Sequence, residues 1–173
     1  LTVDAEARAA FFAWVRERYE AFVEYRFIGE VPQENTIIEY ELTWLPEGFS
    51  FQKEQRLGNS TYITYTDNSG QRIIFSYLQG NDSTSLFMAA DYTEVQSVQI
   101  GNTKADFYQA SQETAPNGLV WISEEENLCF CITAPLSKDT IIKMAEGIQK
   151  NNQKISNQLT KITSFIRLRG INK

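Results

Sequence analysis

The feature that most constrains this chain is a succession of short alternating segments, divided by turn residues, between Pro32 and Pro135. In segment 38–44, apolar and polar residues alternate strictly, which is typical of a strand with one buried face. Gly58-Asn59 and Gly101-Asn102 lie between consecutive segments, as hairpin turns do. Further strands are predicted at 49–56, 61–66, 72–78, 85–88, 94–100, 104–110, 119–122 and 128–133. The region 36–133 is therefore predicted to form an antiparallel meander of about eight or nine strands, which must curl or form a second layer.

Two helices are predicted to pack on this sheet. Residues 3–25, within an N-terminal helical region 1–30, carry apolar residues at helical spacing, namely Phe12, Val15, Tyr19 and Phe22. A helix that binds a partner is the alternative use of this stripe. After Pro135, Ser137 is placed to cap a second helix at 137–147. The predicted fold class is α+β, with a curled antiparallel sheet packed against both helices in one domain that spans residues 1–149.

The segment 150–173 is a basic tail with a helical pattern. Residues 1–146 carry a net charge of −12, whereas residues 147–173 have six basic side chains and no acid. From Ile141 onward, apolar residues follow a four-three alternation that Asn152 interrupts. Such a seam can pair two copies of the chain as a coiled coil, or pack on the chain's own sheet, and its candidate residues are Ile155, Leu159, Ile162 and Ile166. The candidate contacts with an anionic membrane or wall polymer are Lys154, Lys161, Arg167 and Arg169.

The chain contains no histidine, which removes the commonest general acid–base and the commonest metal ligand. Ser-His-Asp and Cys-His catalysis are excluded, and two cysteines cannot form a four-thiolate zinc site. The acidic balance argues against nucleic acid as a partner, because phosphate binding needs clustered Lys and Arg. No catalytic, cofactor-binding or metal-binding residue is predicted, no cofactor is expected, and the chain is predicted not to be an enzyme.

Three local patterns have both a structural and a functional interpretation. Cys129 and Cys131 fall on one face of a predicted strand, which favours small buried residues over a redox or metal pair. The acidic run 124–126 is interpreted as a solvated hairpin loop, with a calcium or acid–base site as the alternative. The aromatic residues of the strands predict a packed core, with a groove for a lipid, peptide or cell-wall fragment as the alternative. A hydrolase with paired carboxylates is a further alternative.

Several segments, taken in order, resemble parts of one family of Gram-positive bacterial membrane proteins. Residues 1–8 (LTVDAEAR) and 11–15 (FFAWV) resemble the stretch that follows the membrane-spanning helix. Residues 45–49 (LPEGF) lie in what resembles the opening of the extracytoplasmic domain. Four further segments resemble later parts of that domain, namely residues 100–105 (IGNTKA), 119–122 (LVWI), 130–132 (FCI) and 136–139 (LSKD). The family is that of domain of unknown function 4367, and the resemblance ends at residue 149.

The resemblance implies a domain on the extracytoplasmic face of the cell membrane, tethered by one helix upstream of Leu1. In several such proteins the cytoplasmic part looks like an anti-sigma factor. The family has no established catalytic residue, so none is carried over, and the basic tail is not covered. We therefore expect a non-enzymatic sensing or protein-interaction domain of a membrane-anchored regulator. Its partner is expected to be a protein or a small ligand, with a homodimer through the tail as one possibility.

Overall fold

The computed structural model describes residues 13–18, 22–29, 38–81, 84–89 and 92–151. Within these ranges the chain forms twelve strands and one helix. The helix, α1, spans Lys138–Glu146 and lies between the last two strands. The strands are β1 (Ala13–Arg18), β2 (Phe22–Ile28), β3 (Tyr40–Leu42), β4 (Ser50–Leu57), β5 (Ser60–Thr66), β6 (Arg72–Gln79), β7 (Ser85–Ala89), β8 (Tyr92–Ile100), β9 (Thr103–Ala110), β10 (Asn117–Ser123), β11 (Leu128–Ala134) and β12 (Ile148–Lys150).

The described strands form three antiparallel sheets. The main sheet has seven strands in the order β4-β5-β6-β11-β10-β9-β8. The small sheet has the order β1-β2-β7, and β3 pairs with β12 as a two-stranded ribbon. Most neighbours in the main sheet are joined by hairpins, while β11 returns to pair with β6. This order leaves β4 and β8 as the two outer strands of the main sheet.

One face of the main sheet packs against α1 and the ribbon. Phe75, Phe107 and Ile132 lie on this face and are fully buried, as are Ile141 and Met144 from α1. Along β11, alternate residues point to this side, so a strand that is apolar throughout serves both faces of the sheet.

The opposite face of the main sheet packs against the small sheet. Val23 and Tyr25 of β2 and Met88 of β7 are buried against the main-sheet residues Leu78, Tyr108, Val120, Cys129 and Cys131. The main sheet is therefore the middle of three layers, and its two faces support two separate cores.

The predicted N-terminal helix is wrong where the structure describes it, because Ala13–Arg18 and Phe22–Ile28 are strands. Along β2, buried Val23, Tyr25 and Phe27 alternate with less buried residues, which is a period of two residues. The segment is rich in aromatic and β-branched side chains, and these favour strands. Its pairing with β7, far along the chain, stabilises the strand over the helix.

The strands predicted between residues 49 and 133 are confirmed as β4 to β11, with bounds that differ by one or two residues. Segment 38–44 forms the shorter strand β3, Tyr40–Leu42. The sheet structure is larger than predicted, because β1, β2 and β12 are additional strands within the described residues.

The second predicted helix is confirmed as α1. The side chain of Ser137 caps it by accepting a hydrogen bond from the main-chain N–H of Thr140. Gly147 ends the helix and Ile148 lies in β12, so the four-three pattern does not continue as one helix from residue 141. No helix in the described part of the chain is both long and apolar enough to cross a bilayer.

Candidate functional site

The strand aromatics, which were candidates for a ligand groove, lie mainly in the two cores. The rings of Trp121 and Phe130 stack with centroids 5.2 Å apart, and Tyr40 meets Phe130 edge-on at 5.0 Å. Buried with them are Tyr65, Phe75, Tyr77, Phe107 and Tyr108. These contacts give the rings a packing role, which supports the core interpretation over the groove.

Cys129 and Cys131 are free, buried thiols on the β11 face that meets the small sheet. Burial raises the pKa of Cys129 well above its ordinary value and raises the pKa of Cys131 to about 12. Since the thiolate is the nucleophile and the metal ligand, neither side chain is prepared for such chemistry near neutral pH. The interpretation of the pair as small buried residues is confirmed.

A polar cluster crosses the interface between the small and main sheets. It consists of Arg16 and Tyr25 from the small sheet and Asp106 and Tyr108 from β9, and we call it the Asp106 cluster. Arg16 Nε lies 2.9 Å from Asp106 Oδ2, and the Tyr25 hydroxyl donates to the same oxygen at 2.5 Å. Both sheets thus contribute to one carboxylate-centred arrangement.

Proton counting fixes the direction of the bonds in the Asp106 cluster. Tyr25 has one hydroxyl proton and gives it to the carboxylate, so Tyr108 is the donor in the bond between the two phenols. Burial raises the pKa of both tyrosines, which keeps both hydroxyls protonated around neutral pH. The hydrogen bonds and the ion pair of the cluster therefore hold the small sheet against the main sheet.

A second charged group joins the ribbon side of the molecule to β4, and we call it the Arg56 cluster. Glu39, only 2% exposed, forms an ion pair with Arg56. Arg56 also donates through Nη2 to Glu54 Oε1 at 2.9 Å. The bond to Glu39 is the main cause that raises the pKa of Arg56. One guanidinium therefore serves two carboxylates.

β4 is the most exposed strand of the main sheet. Seven of its eight residues are exposed, and Glu54 is intermediate. Phe51 and Leu57, near its two ends, are 60% and 66% exposed. The register with β5 shifts between Phe51 and Lys53, which marks a β-bulge. An outer strand offers unpaired main-chain groups to another extended chain, and a bulge and charged side chains restrict how that chain can pair.

The acidic run 124–126 is a turn between β10 and β11, as the loop interpretation requires. Glu126 forms an ion pair with Lys150 of β12, which attaches the ribbon to this turn. No group of three or more acidic or cysteine side chains in the described ranges could hold a metal ion.

The candidate residues of the basic tail lie outside the described residues, and their roles stay predictions. They are the seam residues Ile155, Leu159, Ile162 and Ile166 and the basic residues Lys154, Lys161, Arg167 and Arg169. Conversely, sequence reasoning missed the Asp106 and Arg56 clusters. The one available signal was an acid between two buried positions of β9, Ala105 and Phe107.

The comparisons with known proteins concern the part of the chain that contains the main sheet. The model of the family described as domain of unknown function (DUF4367) matches residues 39–148, which run from the residue before β3 to the first residue of β12. The match includes the whole main sheet and α1. A search of curated proteins found no match.

Proposed function

Because the chain belongs to the DUF4367 family, we propose that it is a non-enzymatic extracytoplasmic interaction domain of a membrane-anchored regulatory protein. The family resemblance supports the location, and a membrane segment upstream of Leu1 is the anchor in this proposal. The observation that carries the interaction role is β4, an outer strand whose side chains are exposed on both faces.

Strand addition is the mode of binding that suits β4. An extended segment of a protein partner would lie along the outer edge, where main-chain hydrogen bonds supply affinity and side chains supply selectivity. Phe51 and Leu57 offer apolar contacts at the two ends, and charged side chains lie between them.

The two other candidate functions have weaker support. A groove for a lipid, peptide or cell-wall fragment would need the strand aromatics, and most of these are packed in the cores. A hydrolase would need a working carboxylate pair, whereas Glu39 and Glu54 both bind Arg56. A guanidinium between two acids holds both as ion pairs.

The location is tested by labelling a single surface thiol in intact cells. Both native cysteines are buried, so Asn68→Cys, in the exposed β5–β6 turn, would be the one reactive thiol among the described residues. We expect a membrane-impermeant maleimide to label this variant of the full-length protein and not the parent. Labelling that requires cell lysis would contradict the extracytoplasmic location.

The interaction is tested with a photo-crosslinking amino acid placed at Gln55 of β4, in the full-length protein in cells. Position 68 is the matched control, because it is also exposed but lies away from β4. We expect a protein adduct from position 55 and none from position 68. The same yield from both positions, or no adduct from either, would refute binding through β4.

A further inference from the structure

We propose that the partner of β4 is a second copy of this chain, paired antiparallel along β4 with the two Gln55 residues opposite each other. This inference rests on the proposed function, because it names the partner of the same edge. Two features of β4 select this arrangement, its bulge and its charges, and the alternation of its main-chain groups is compatible with it.

The bulge limits which residues can pair. The register with β5 is regular from Lys53 to Leu57 and shifts between Phe51 and Lys53. A bulge bends the strand and disrupts the ladder locally, so pairing with a new strand favours the regular part. Gln55 is the centre of that five-residue stretch.

The charges distinguish this register from its neighbours. With Gln55 at the centre, Glu54 of each copy lies opposite Arg56 of the other, which gives two favourable pairs. A slip of one residue on each strand would place Glu54 opposite Glu54, or Arg56 opposite Arg56, and like charges directly opposite each other are destabilising. Glu54 and Arg56 already share one face of β4, since they pair with the buried residues Ile63 and Thr61 of β5.

The main-chain alternation is compatible with this register, and it excludes registers that pair an even-numbered residue with an odd-numbered one. Gly58-Asn59 is a two-residue turn with Gly58 at φ 57°, and such turns place their flanking residues, Leu57 and Ser60, in a hydrogen-bonded pair. Bonded pairs alternate along an antiparallel ladder, so residues 54 and 56 direct their main-chain groups away from β5. In the Gln55-centred register these are the residues that bond across the new interface.

The contact is small, so the dimer should be weak and dependent on concentration. Five residues from each copy bury far less than the roughly 800 Å² per partner of a standard stable interface. Tethering both copies to one membrane would raise their effective concentration and favour the pairing.

Disulfide cross-linking of the full chain tests the register directly. Across the proposed axis, two residues at position 55 are within reach of a disulfide, whereas two at position 53 are separated by roughly 13 Å along the strands. Under oxidised glutathione, we expect Gln55→Cys to form a covalent dimer at least about tenfold faster than Lys53→Cys. A mixture of Lys53→Cys and Leu57→Cys chains should cross-link with each other, because residue 53 faces residue 57. Equal rates for Gln55→Cys and Lys53→Cys would overturn the proposal, and a dimer formed through the tail would give that result.

Charge reversal provides a second test with a matched control. Adding Glu54→Lys to the Gln55→Cys chain sets a lysine side chain opposite Arg56 at both ends of the pairing, and we expect the cross-linking rate to fall about tenfold. Glu94→Lys makes the same charge change on β8, the other outer strand, and should leave the rate unchanged. Equal effects of the two substitutions would contradict the register.

The adduct formed at position 55 in cells separates this inference from the proposed function. An adduct with twice the mass of the full-length protein supports the second copy. An adduct of any other mass overturns the second copy while the interaction role stands. No adduct from position 55 refutes both.

Discussion

At the scale of single residues, Asp106 joins the main sheet to the small sheet. Its carboxylate accepts a hydrogen bond from Tyr25 and forms an ion pair with Arg16, and both of these residues belong to the small sheet. Tyr108, which lies on β9 with Asp106, donates to the Tyr25 hydroxyl. A half-exposed arginine alone would contribute little, because solvent screens such pairs. The contribution comes from the charge-assisted hydrogen bond of the buried phenol.

Asp106→Asn is therefore expected to lower the free energy of unfolding by about 2 kcal/mol, which is typical for loss of a hydrogen bond to a charged group. Urea unfolding followed by tryptophan fluorescence measures this change. Tyr25→Phe should also cost about 2 kcal/mol, since it removes the same charge-assisted bond and the acceptor of the Tyr108 hydroxyl. Tyr62→Phe, on a half-buried tyrosine of β5, is the control and should change stability little. Equal losses for Tyr25→Phe and Tyr62→Phe would show that the cluster does not stabilise the interface.

Because the two thiols are buried, we expect the free energy of unfolding to fall in alkaline solution. Burial raises the pKa of Cys131 from 9.0 to about 12, so between these values the unfolded thiol ionises and the folded one does not. The unfolded state then binds fewer protons, and the free energy of unfolding falls as pH rises, by about 1.4 kcal/mol per pH unit for each such thiol. At pH values well below 9.0, both states keep the thiol protonated, so the thiols do not change the free energy of unfolding.

Urea unfolding from about pH 8 to about pH 10 checks this dependence, before most tyrosines of the unfolded chain ionise. Cys131→Ala should lower stability at every pH and make the alkaline slope shallower. An unchanged slope in Cys131→Ala would show that this thiol is not the titrating group.

At the scale of elements, β4 to β11 could be predicted because each strand is bounded by turn residues and alternates within itself. The N-terminal strands could not be predicted in this way, since their apolar residues fit a helical period as well as a strand period. Pairing of β2 with β7 decides between the two, and that contact joins residues about sixty positions apart. The Arg56 cluster could not be predicted for the same reason: it depends on a contact between separate elements, since Glu39 precedes β3 while Arg56 lies in β4. Local patterns identify strands, but they do not identify which side chains meet across layers.

The junction that follows β6 depends on the absence of a side chain at Gly80. A Cβ there would lie 2.5 Å from the ring of Phe27 and 2.6 Å from Asn127 Oδ1. We expect Gly80→Ala to lower the free energy of unfolding by about 2 kcal/mol, since overpacking a filled site forces neighbours to move. Phe27→Leu should reduce that cost in the double variant, as measured by a double-mutant cycle in urea. Additive effects of the two substitutions would contradict direct contact.

At the scale of the whole molecule, charge divides the chain into an acidic three-layer body and a basic tail. Residues 152–173 lie outside the described residues, so the two hypotheses for the tail keep their separate expectations. If the seam is a coiled coil, Ile155→Lys should abolish concentration-dependent dimers in sedimentation. If the seam packs on the chain's own sheet, Ile155→Lys should lower the melting temperature and leave the mass unchanged. An unchanged mass together with an unchanged melting temperature would contradict both hypotheses.

The ribbon has a mechanical consequence. Tyr40 pairs with Lys150 and Leu42 with Ile148, so the chain enters the family domain and leaves it at the same end of one short ladder. A force that pulls residues 39 and 151 apart would load the hydrogen bonds of this ladder one after another, as a zipper opens. The main sheet, whose strands lie between these two ends in sequence, would carry load only after the ribbon had parted. Pulling on residues 39 and 151 would therefore separate β3 from β12 first, and would then draw Tyr40 and Leu42 out of the core beside α1, while the core beneath the small sheet stays packed.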